Sequence, residues 1–404
     1  MTTTTLVPAD RTVTPRRFEG MPVGYHDDIH PDFRLNYEMN RFSTGEPDMI
    51  AEMRSVSPKI HDIRDYAREF YALGQAALER GEMLKGAYYL RSANFCMFGD
   101  DPRKQPARRQ FLRLMREEFG FAEAGHYDVP YEEGYLSAYR SAPALKARGT
   151  IILFGGFDSY VEEMFPMQRY FQQAGFQVVS FDGPGQGISL EDHQLHLTPE
   201  WHKPVGAVLD YFDLDDVTLL GMSMGGCLAL RAAAYEPRVR RVVTDDIAAD
   251  CLDISFRQMK PSQREELSAL LRMGADRVID AVFARAMKES LVANWGVQQG
   301  MLVTGARTPS QWLRQMSLYR TEDVSPLIEQ DVLLLGGAED HFIPLHQFYD
   351  QISTLTRARS LTARLFTRRE QAHEHCQVGN PGLQFRVIKD WIEIMQDQQQ
   401  VDLP

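Results

Sequence analysis

The sequence predicts an α/β protein built on a mostly parallel sheet. Two observations support this fold class. From about residue 123 onward, the spacing of apolar residues changes from the three-and-four steps of helices to the alternation of strands. Strand-like apolar runs then alternate with helical segments, which is typical of parallel β–α–β units.

The first third of the chain precedes this alternating pattern. At 404 residues the chain exceeds one average domain, so a core with additions is expected. We predict an N-terminal extension at 1–30, rich in Thr, Pro and Arg, that is either poorly ordered or draped over the surface. An N-terminal helical domain follows at 31–122, where Ile60, Ile63 and Ala67 begin an apolar stripe at helical spacing.

The predicted α/β core is interrupted by an insertion. Its first part, 123–250, opens with two antiparallel strands at 126–130 and 134–140. Between 251 and 325 the alternation stops and helical patterns take over, which predicts a helical lid. The second part of the core, 326–404, supplies two further strands and a final helix.

The segment 221–225, Gly-Met-Ser-Met-Gly, carries the strongest chemical signal. It follows the apolar run 217–220 and opens a helical stretch at 226–235. Strand, Gly-x-Ser-x-Gly and helix form the context of a nucleophile elbow, which presents a serine hydroxyl at a helix N-terminus. We therefore predict an α/β-hydrolase fold with Ser223 as nucleophile; a structural glycine turn is the alternative.

Candidates for an acid and a base follow this serine in the chain order of that fold. The apolar run 332–335 ends in a glycine turn before Asp340, which we predict as the triad acid, with Glu339 as the alternative. The last predicted strand is followed by two histidines, His373 and His375. Spacing alone does not choose between them.

Two glycine-rich loops follow predicted strands upstream of the serine. The loop that begins at Gly155 is where this fold supplies one oxyanion N–H, and the residue after the nucleophile supplies another. We predict Phe157 and Met224 as these backbone donors, with Gly156 as the alternative to Phe157. The loop 182–187 lacks the Lys-Ser/Thr end of a phosphate-binding loop, so we interpret it as the turn after the fourth strand.

Composition argues against several function classes. A formal net charge of −12 disfavours nucleic acid as a partner. No apolar stretch approaches about 18 residues, so no membrane span is expected. The N-terminus has no signal-like pattern and the four cysteines are scattered, so we expect a cytoplasmic location. His373, His375 and Cys376 have no second ligand cluster to complete a metal site, and neither metal nor cofactor is predicted.

Several of these segments together resemble the FrsA-like α/β-hydrolases, a group that includes 2,6-dihydroxypseudooxynicotine hydrolase and fungal polyketide-shortening hydrolases. The resemblance includes the N-terminal helical domain and covers most of the chain from about residue 31. The segments that carry it are 155–159 with 162–163, 182–187, 221–225 and 374–380. The most specific segment is the last one, and it implies His375 rather than His373 as the base.

The resemblance implies hydrolysis of a carbon–carbon bond next to a ketone, a retro-Claisen type reaction on an aromatic or polyketide-like substrate. Ser223 would attack the carbonyl after His375 removes its proton, and Asp340 would orient His375. The N–H groups of Met224 and Phe157 would hold the oxyanion. One member of the group has an extra pocket carboxylate after the strand that follows the nucleophile helix. Four aspartates crowd the corresponding region here, and none is assigned that role: Asp245, Asp246, Asp250 and Asp253.

The sequence leaves the substrate open beyond the class of small molecules. We expect Gly156, Met222 and Tyr160 to contact it in an apolar pocket. An esterase, thioesterase or acyltransferase with the same triad is the alternative function, and a non-catalytic partner-binding protein on this scaffold is a further one. The N-terminal helices could form a homodimer interface.

Overall fold

The computed structural model describes residues 16–257 and 259–401, so the first 15 residues of the predicted N-terminal extension lie outside the described part. The rest of that extension begins with a small hairpin of two strands, β1 (Arg17–Phe18) and β2 (Met21–Pro22). The hairpin packs on the last helix of the chain, where a Cβ at Gly382 would overlap the carbonyl oxygen of Phe18. It therefore lies against the core.

The helices that precede the main sheet are α1 (Phe33–Ser43), α2 (Pro47–Val56), α3 (Ile63–Glu79), α4 (Met83–Cys96) and α5 (Lys104–Phe119). Helix α3 begins where the Asp62 carboxylate accepts hydrogen bonds from the N–H groups of Arg64 and Asp65, both at 2.9 Å. Such a cap satisfies first-turn donors that have no partner within the helix. Helices α3 and α4 pack closely at Gly74, because this residue has no side chain. A Cβ at Gly74 would lie only 2.9 Å from the Leu90 side chain.

The strands of the main sheet are β3 (His126–Tyr131), β4 (Gly134–Ser141), β5 (Thr150–Phe154), β6 (Gln177–Asp182), β7 (Val217–Met222), β8 (Val239–Asp245), β9 (Asp331–Gly337) and β10 (Ser360–Phe366). Their order is β10-β9-β8-β7-β5-β6-β4-β3. Only the pairs that involve β4 are antiparallel; the other neighbours are parallel. The carboxyl ends of β5, β7, β8 and β9 therefore meet at one edge of the sheet.

The helices that follow β5 are α6 (Phe165–Gln173), α7 (Gly187–Glu191), α8 (His202–Phe212), α9 (Met224–Ala233), α10 (Cys251–Ser255), α11 (Pro261–Met273), α12 (Asp276–Glu289), α13 (Leu291–Thr304), α14 (Pro309–Met316), α15 (Leu345–Thr354) and α16 (Pro381–Val401). Helices α10 to α14 all fall between β8 and β9, in the segment predicted to be a helical insertion. The others cover the sheet.

The central strands β5 to β9 are buried on both faces, as their nearly continuous apolar runs indicate. Ile152 and Phe154 pack into a cluster with α8, α9 and α15. Ile151 and Leu153 point to the opposite face and pack with α6 and α16. The predicted α/β-hydrolase fold, with its N-terminal helical region, is confirmed. Across the part of the chain that the structure describes, no helix is both long and apolar enough to cross a membrane.

Candidate active site

Ser223 lies on a sharp turn between β7 and α9. Its backbone has φ 60° and ψ −123°, a conformation that residues other than glycine rarely adopt. The turn is tight: a Cβ at Gly221 would overlap the carbonyl oxygen of Gly225, and one at Gly225 would lie 2.6 Å from the carbonyl oxygen of Gly155. The geometry is that of a nucleophile elbow.

Two hydrogen bonds connect Ser223, through His375, to Asp340. The Ser223 Oγ lies 2.8 Å from Nε2 of His375, and Nδ1 of His375 lies 2.6 Å from Oδ2 of Asp340. The other carboxylate oxygen of Asp340 accepts hydrogen bonds from the N–H groups of Phe342 and Ile343, at 2.7 and 2.8 Å. These backbone donors fix the carboxylate so that Oδ2 faces the imidazole.

The alternative acid and base from the sequence lie elsewhere. The ring of His373 packs edge-on against Tyr25 at 5.2 Å, and neither of its nitrogens has a hydrogen-bond partner among the described residues. The Glu339 carboxylate is exposed and pairs with Arg368 at 2.6 Å. The structure thus brings Asp340, and neither Glu339 nor His373, to the serine site.

A second buried carboxylate contacts the same imidazole nitrogen. Oδ2 of Asp246 lies 3.2 Å from Nδ1 of His375. This carboxylate accepts hydrogen bonds from the Cys376 N–H at 2.6 Å and from the Gln377 side chain at 3.0 Å. The Nδ1 atom therefore lies between two carboxylates, nearer to Asp340. Sequence reasoning missed this contact, although two adjacent acids at the end of a buried strand were a visible signal.

The neighbouring Asp245 is fully buried at the end of β8. Burial and the charge of Asp246 raise the pKa of Asp245 to about 8. One of its oxygens accepts a hydrogen bond from Gln384. Asp245 therefore holds its proton at neutral pH, which relieves repulsion between the two adjacent carboxyl groups.

Charge coupling across the site favours an ion pair between His375 and Asp340. Burial opposes charging of the imidazole, but the Asp340 charge and the hydrogen bonds that Nδ1 donates to Asp246 and Asp340 raise the pKa of His375 well above its usual value. Burial also opposes ionisation of Asp340, but His375 and the backbone donors lower the pKa of that carboxyl. Burial raises the pKa of Asp246, and the charge of the nearby Asp340 raises it further. The hydrogen bond between Asp246 and His375 lowers it only in part. Asp340 is therefore the stronger counter-ion.

The loop after β5 passes directly over the nucleophile turn. A Cβ at Gly156 would lie 2.9 Å from the Met224 nitrogen and 3.0 Å from the Ser223 Cβ. The N–H of Gly156 donates to Ser159 Oγ at 3.3 Å. Within the described ranges, no hydrogen bond occupies the N–H of Phe157, or that of Met224 in the first turn of α9. This pattern favours Phe157 over Gly156 as the second donor.

The loop after β6 supports that arrangement. The buried Gln186 side chain donates from Nε2 to the carbonyl oxygens of Gly155 and Gly156, at 2.7 and 3.0 Å. Its Oε1 accepts from the Gly183 N–H at 2.9 Å. The segment 182–187 follows the fourth strand of the main sheet, as predicted, and it holds the neighbouring loop in place.

Helix α1 also reaches the site, which the sequence did not predict. The buried Tyr37 hydroxyl donates to the carbonyl oxygen of His375 at 3.1 Å. The Tyr37 ring packs against the rings of His341 and Phe342, with centroids 4.4 and 5.6 Å apart. The N-terminal helices therefore fix the backbone that carries the imidazole.

The predicted substrate-contacting residues occupy different positions. Gly156 borders Ser223, as described above. Met222 is half-buried and packs against the cluster of the α6 and α16 face. Tyr160 lines a partly open cavity, called here the side cavity. Residues that line the side cavity include Arg91, Phe95, Lys104, Phe157, Asp158, Tyr160, Glu191 and Trp295.

One group of side chains has the spacing of metal ligands in the described part of the chain. Asp246, His375 and Cys376 each place a ligand atom within 4.8 Å of the others. Both imidazole nitrogens of His375 already take part in hydrogen bonds. The Cys376 thiol donates to the Asp245 carbonyl oxygen at 3.6 Å. These three residues therefore do not suit a metal ion.

The fold and this arrangement of serine, histidine and aspartate define the class as hydrolases of the α/β fold. Residues 149–367 match the family model described as the alpha/beta hydrolase fold, and the chain belongs to this family. It is 32% identical to the hydrolyase poxO of Penicillium oxalicum over 306 residues, which cover 67% of this chain and 72% of poxO. It is 28% identical to the hydrolase acrC of Aspergillus aculeatus over 333 residues, which cover 73% and 76%.

Solved structures give a matching picture of the fold. The crystal structure of 2,6-dihydroxy-pseudo-oxynicotine hydrolase superimposes with a TM-score of 0.60 at 21% sequence identity. The superposition covers 88% of this chain and 93% of that one. At this identity the likeness describes the fold alone, including the N-terminal helices.

Proposed function

We propose that this chain is a serine hydrolase that cleaves a carbon–carbon bond next to a ketone through an acyl-enzyme. The observation that carries the proposal is the continuous pair of hydrogen bonds from Ser223 through His375 to Asp340, at 2.8 and 2.6 Å. Nucleophile, base and orienting acid are then within reach of one another. The reaction takes water as its only co-reactant, consistent with the prediction of no cofactor.

In the first half of the reaction, Ser223 Oγ bonds to the ketone carbon while its proton moves to Nε2 of His375. The carbonyl oxygen becomes an oxyanion, which accepts hydrogen bonds from the N–H groups of Met224 and Phe157. Each such donor contributes about 3–4 kcal/mol to the transition state in comparable sites. The Asp340 carboxylate stabilises the imidazolium that forms.

In the second half, the carbonyl re-forms and the carbon–carbon bond breaks. The departing carbon leaves as a stabilised carbanion, an enolate or a carbon conjugated to a phenol, and takes the proton from Nε2 of His375. Water then attacks the ester on Ser223 and gives its proton to His375. The bond between the acyl carbon and Ser223 Oγ breaks, Oγ takes that proton from His375, and a carboxylic acid is released. A carbanion stabilised by a neighbouring carbonyl is required, so the substrate class is a β-diketone or an acylated aromatic.

The choice of a carbon–carbon bond rests on the resemblance to the FrsA-like group in the segments 155–159, 182–187 and 374–380. The same triad could instead cleave an ester or thioester, because acyl-enzyme formation uses the same residues. We further propose that helices α10 to α14 act as a lid. They follow β8 directly, and α13 lines the side cavity next to the loop after β5.

Turnover of matched substrates distinguishes these activities. We expect the wild-type protein to hydrolyse 1-phenylbutane-1,3-dione with a higher kcat/KM than p-nitrophenyl acetate, and we expect Ser223→Ala to lose both activities. Hydrolysis of the ester alone would leave the triad in place and contradict carbon–carbon cleavage. If neither substrate turns over and Ser223 does not react with a fluorophosphonate, the chain is not a serine hydrolase and a non-catalytic binding role is favoured.

A further inference from the structure

The side cavity lies next to the nucleophile. Phe157 is one of its lining residues, and it directly follows Gly156, whose Cβ position would lie 3.0 Å from the Ser223 Cβ. Adjacent Cα atoms are about 3.8 Å apart, so the cavity wall begins one residue from the reacting centre. The loop after β5 therefore borders both the serine turn and this cavity.

Three of the four charged side chains in the cavity wall form ion pairs with residues outside it. Arg91 donates to the Glu163 carboxylate at 2.7 Å and to the Asp158 carbonyl at 2.6 Å. Glu191 accepts a hydrogen bond from Tyr160 and lies 3.4 Å from the guanidinium of Arg108.

Asp158 completes this set, because its carboxylate lies 3.4 Å from the Arg41 guanidinium. Each of these three lining charges therefore has an oppositely charged partner within 4 Å.

Lys104 is the remaining charged group in the wall. Its ammonium donates a hydrogen bond to the Met97 carbonyl at 2.8 Å, and among the described residues it has no carboxylate within salt-bridge distance. Burial lowers its pKa, which the nearby Glu191 only partly opposes. An ammonium has three donors, so two remain for a ligand. The aromatic rings of Phe95 and Trp295, 4.7 Å apart, add an apolar wall beside it.

We propose that the side cavity is a subsite for an anionic oxygen at the distal end of the substrate, held by Lys104. The ligand chemistry is a carboxylate joined to the reacting ketone through a short apolar or aromatic segment. This assignment rests on the proposed function for the location of the reacting carbonyl. The anion site itself depends only on Lys104 and the cavity.

A structural role for Lys104 is the competing explanation, because its bond to Met97 links the end of α4 to the start of α5. A purely structural lysine would affect charged and neutral ligands alike. The experiment therefore compares two ligands of the same shape, 3-phenylpropanoate and 3-phenylpropanamide. Calorimetric titration gives the dissociation constant for each, and inhibition of p-nitrophenyl acetate hydrolysis shows whether each competes with substrate.

We expect the wild-type protein to bind the carboxylate about tenfold to hundredfold more tightly than the amide, the range for a hydrogen bond to a charged group. Lys104→Gln, which keeps a donor for Met97, should abolish the difference, and Lys104→Arg should retain it. Lys203→Met is the matched control, since Lys203 is half exposed on α8 and pairs with Glu200. It should leave the preference unchanged.

Several results would overturn the subsite. These are equal binding of the two ligands to the wild-type protein, no binding of either, a preference that survives Lys104→Gln, and inhibition that is not competitive. A 3-phenylpropanoate preference that depends on Lys104, in a protein whose Ser223 fails to react with a fluorophosphonate, would retain the anion site and reject the proposed hydrolase. If Ser223 is labelled but the protein shows no preference for 3-phenylpropanoate over the amide, the hydrolase is retained and the anion site is rejected.

Discussion

Replacing Asp340 by asparagine should reverse the protonation of the imidazole. The N–H groups of Phe342 and Ile343 hold one oxygen of Asp340 at 2.7 and 2.8 Å. In Asp340→Asn these donors will retain the amide oxygen, so the amide NH₂ will face Nδ1 of His375. Nδ1 must then accept, the proton moves to Nε2, and Nε2 can no longer take the proton of Ser223.

In a triad with a single acid, this change lowers kcat by about 10⁴-fold, or about 5.4 kcal/mol. Here Asp246 lies 3.2 Å from the same Nδ1 and offers a second acceptor. A charge-assisted hydrogen bond contributes about 1.5–3 kcal/mol, which corresponds to roughly 10- to 150-fold. We therefore expect kcat to fall by only about 10²- to 10³-fold in Asp340→Asn, and by about 10⁴-fold in the double variant with Asp246→Asn.

Steady-state kinetics of the two single variants and the double variant on one substrate form the assay, with Glu339→Gln as an exposed control that keeps wild-type kcat. The two carboxylates share one nitrogen, so their effects should be non-additive. A single Asp340→Asn variant as slow as the double variant would refute the supporting role of Asp246. A larger loss from Asp246→Asn than from Asp340→Asn would instead make Asp246 the orienting acid.

Three other predictions concern the same site. Gly221→Ala should lower the melting temperature, because its Cβ would overlap the Gly225 carbonyl. The control Gly296→Ala, in open space on α13, should not lower it. Equal melting temperatures for the two variants would contradict the tight turn. Tyr37→Phe should reduce kcat by roughly 2- to 13-fold through the lost hydrogen bond to the His375 carbonyl, and unchanged kcat would contradict that role. His375 must be neutral to act as the base, and its pKa is raised, so kcat/KM should fall on acidification with an apparent pKa above 6.5. An apparent pKa below 6.5 would contradict the charge coupling between His375 and Asp340.

The local parts of the fold could be predicted from the sequence. The alternation of apolar runs and helices is a short-range pattern, and it indicated the sheet of β3 to β10 and the elbow at Ser223. Asp340 was predictable because it ends an apolar strand and a glycine turn. His375 was chosen over His373 only through the resemblance, since two histidines in one loop have the same local pattern.

The contacts that support the imidazole could not be predicted in this way. Tyr37 lies 338 positions from His375 in the chain, and Asp246 approaches it from the next strand after the nucleophile helix. No periodicity records such long-range contacts, because they depend on how the helices and sheet pack together. The two adjacent acids Asp245 and Asp246 were visible in the sequence, but the contact between Asp246 and His375 was not.

Covalent labelling of Ser223 tests the central claim most directly. The wild-type protein is treated with a fluorophosphonate, digested and analysed by mass spectrometry, alongside Ser223→Ala and Asp340→Asn. We expect one adduct on the peptide that contains Ser223, slower labelling in Asp340→Asn, and none at this position in Ser223→Ala. An unlabelled wild-type protein, or an adduct confined to another residue, would contradict the assignment of Ser223 as the nucleophile.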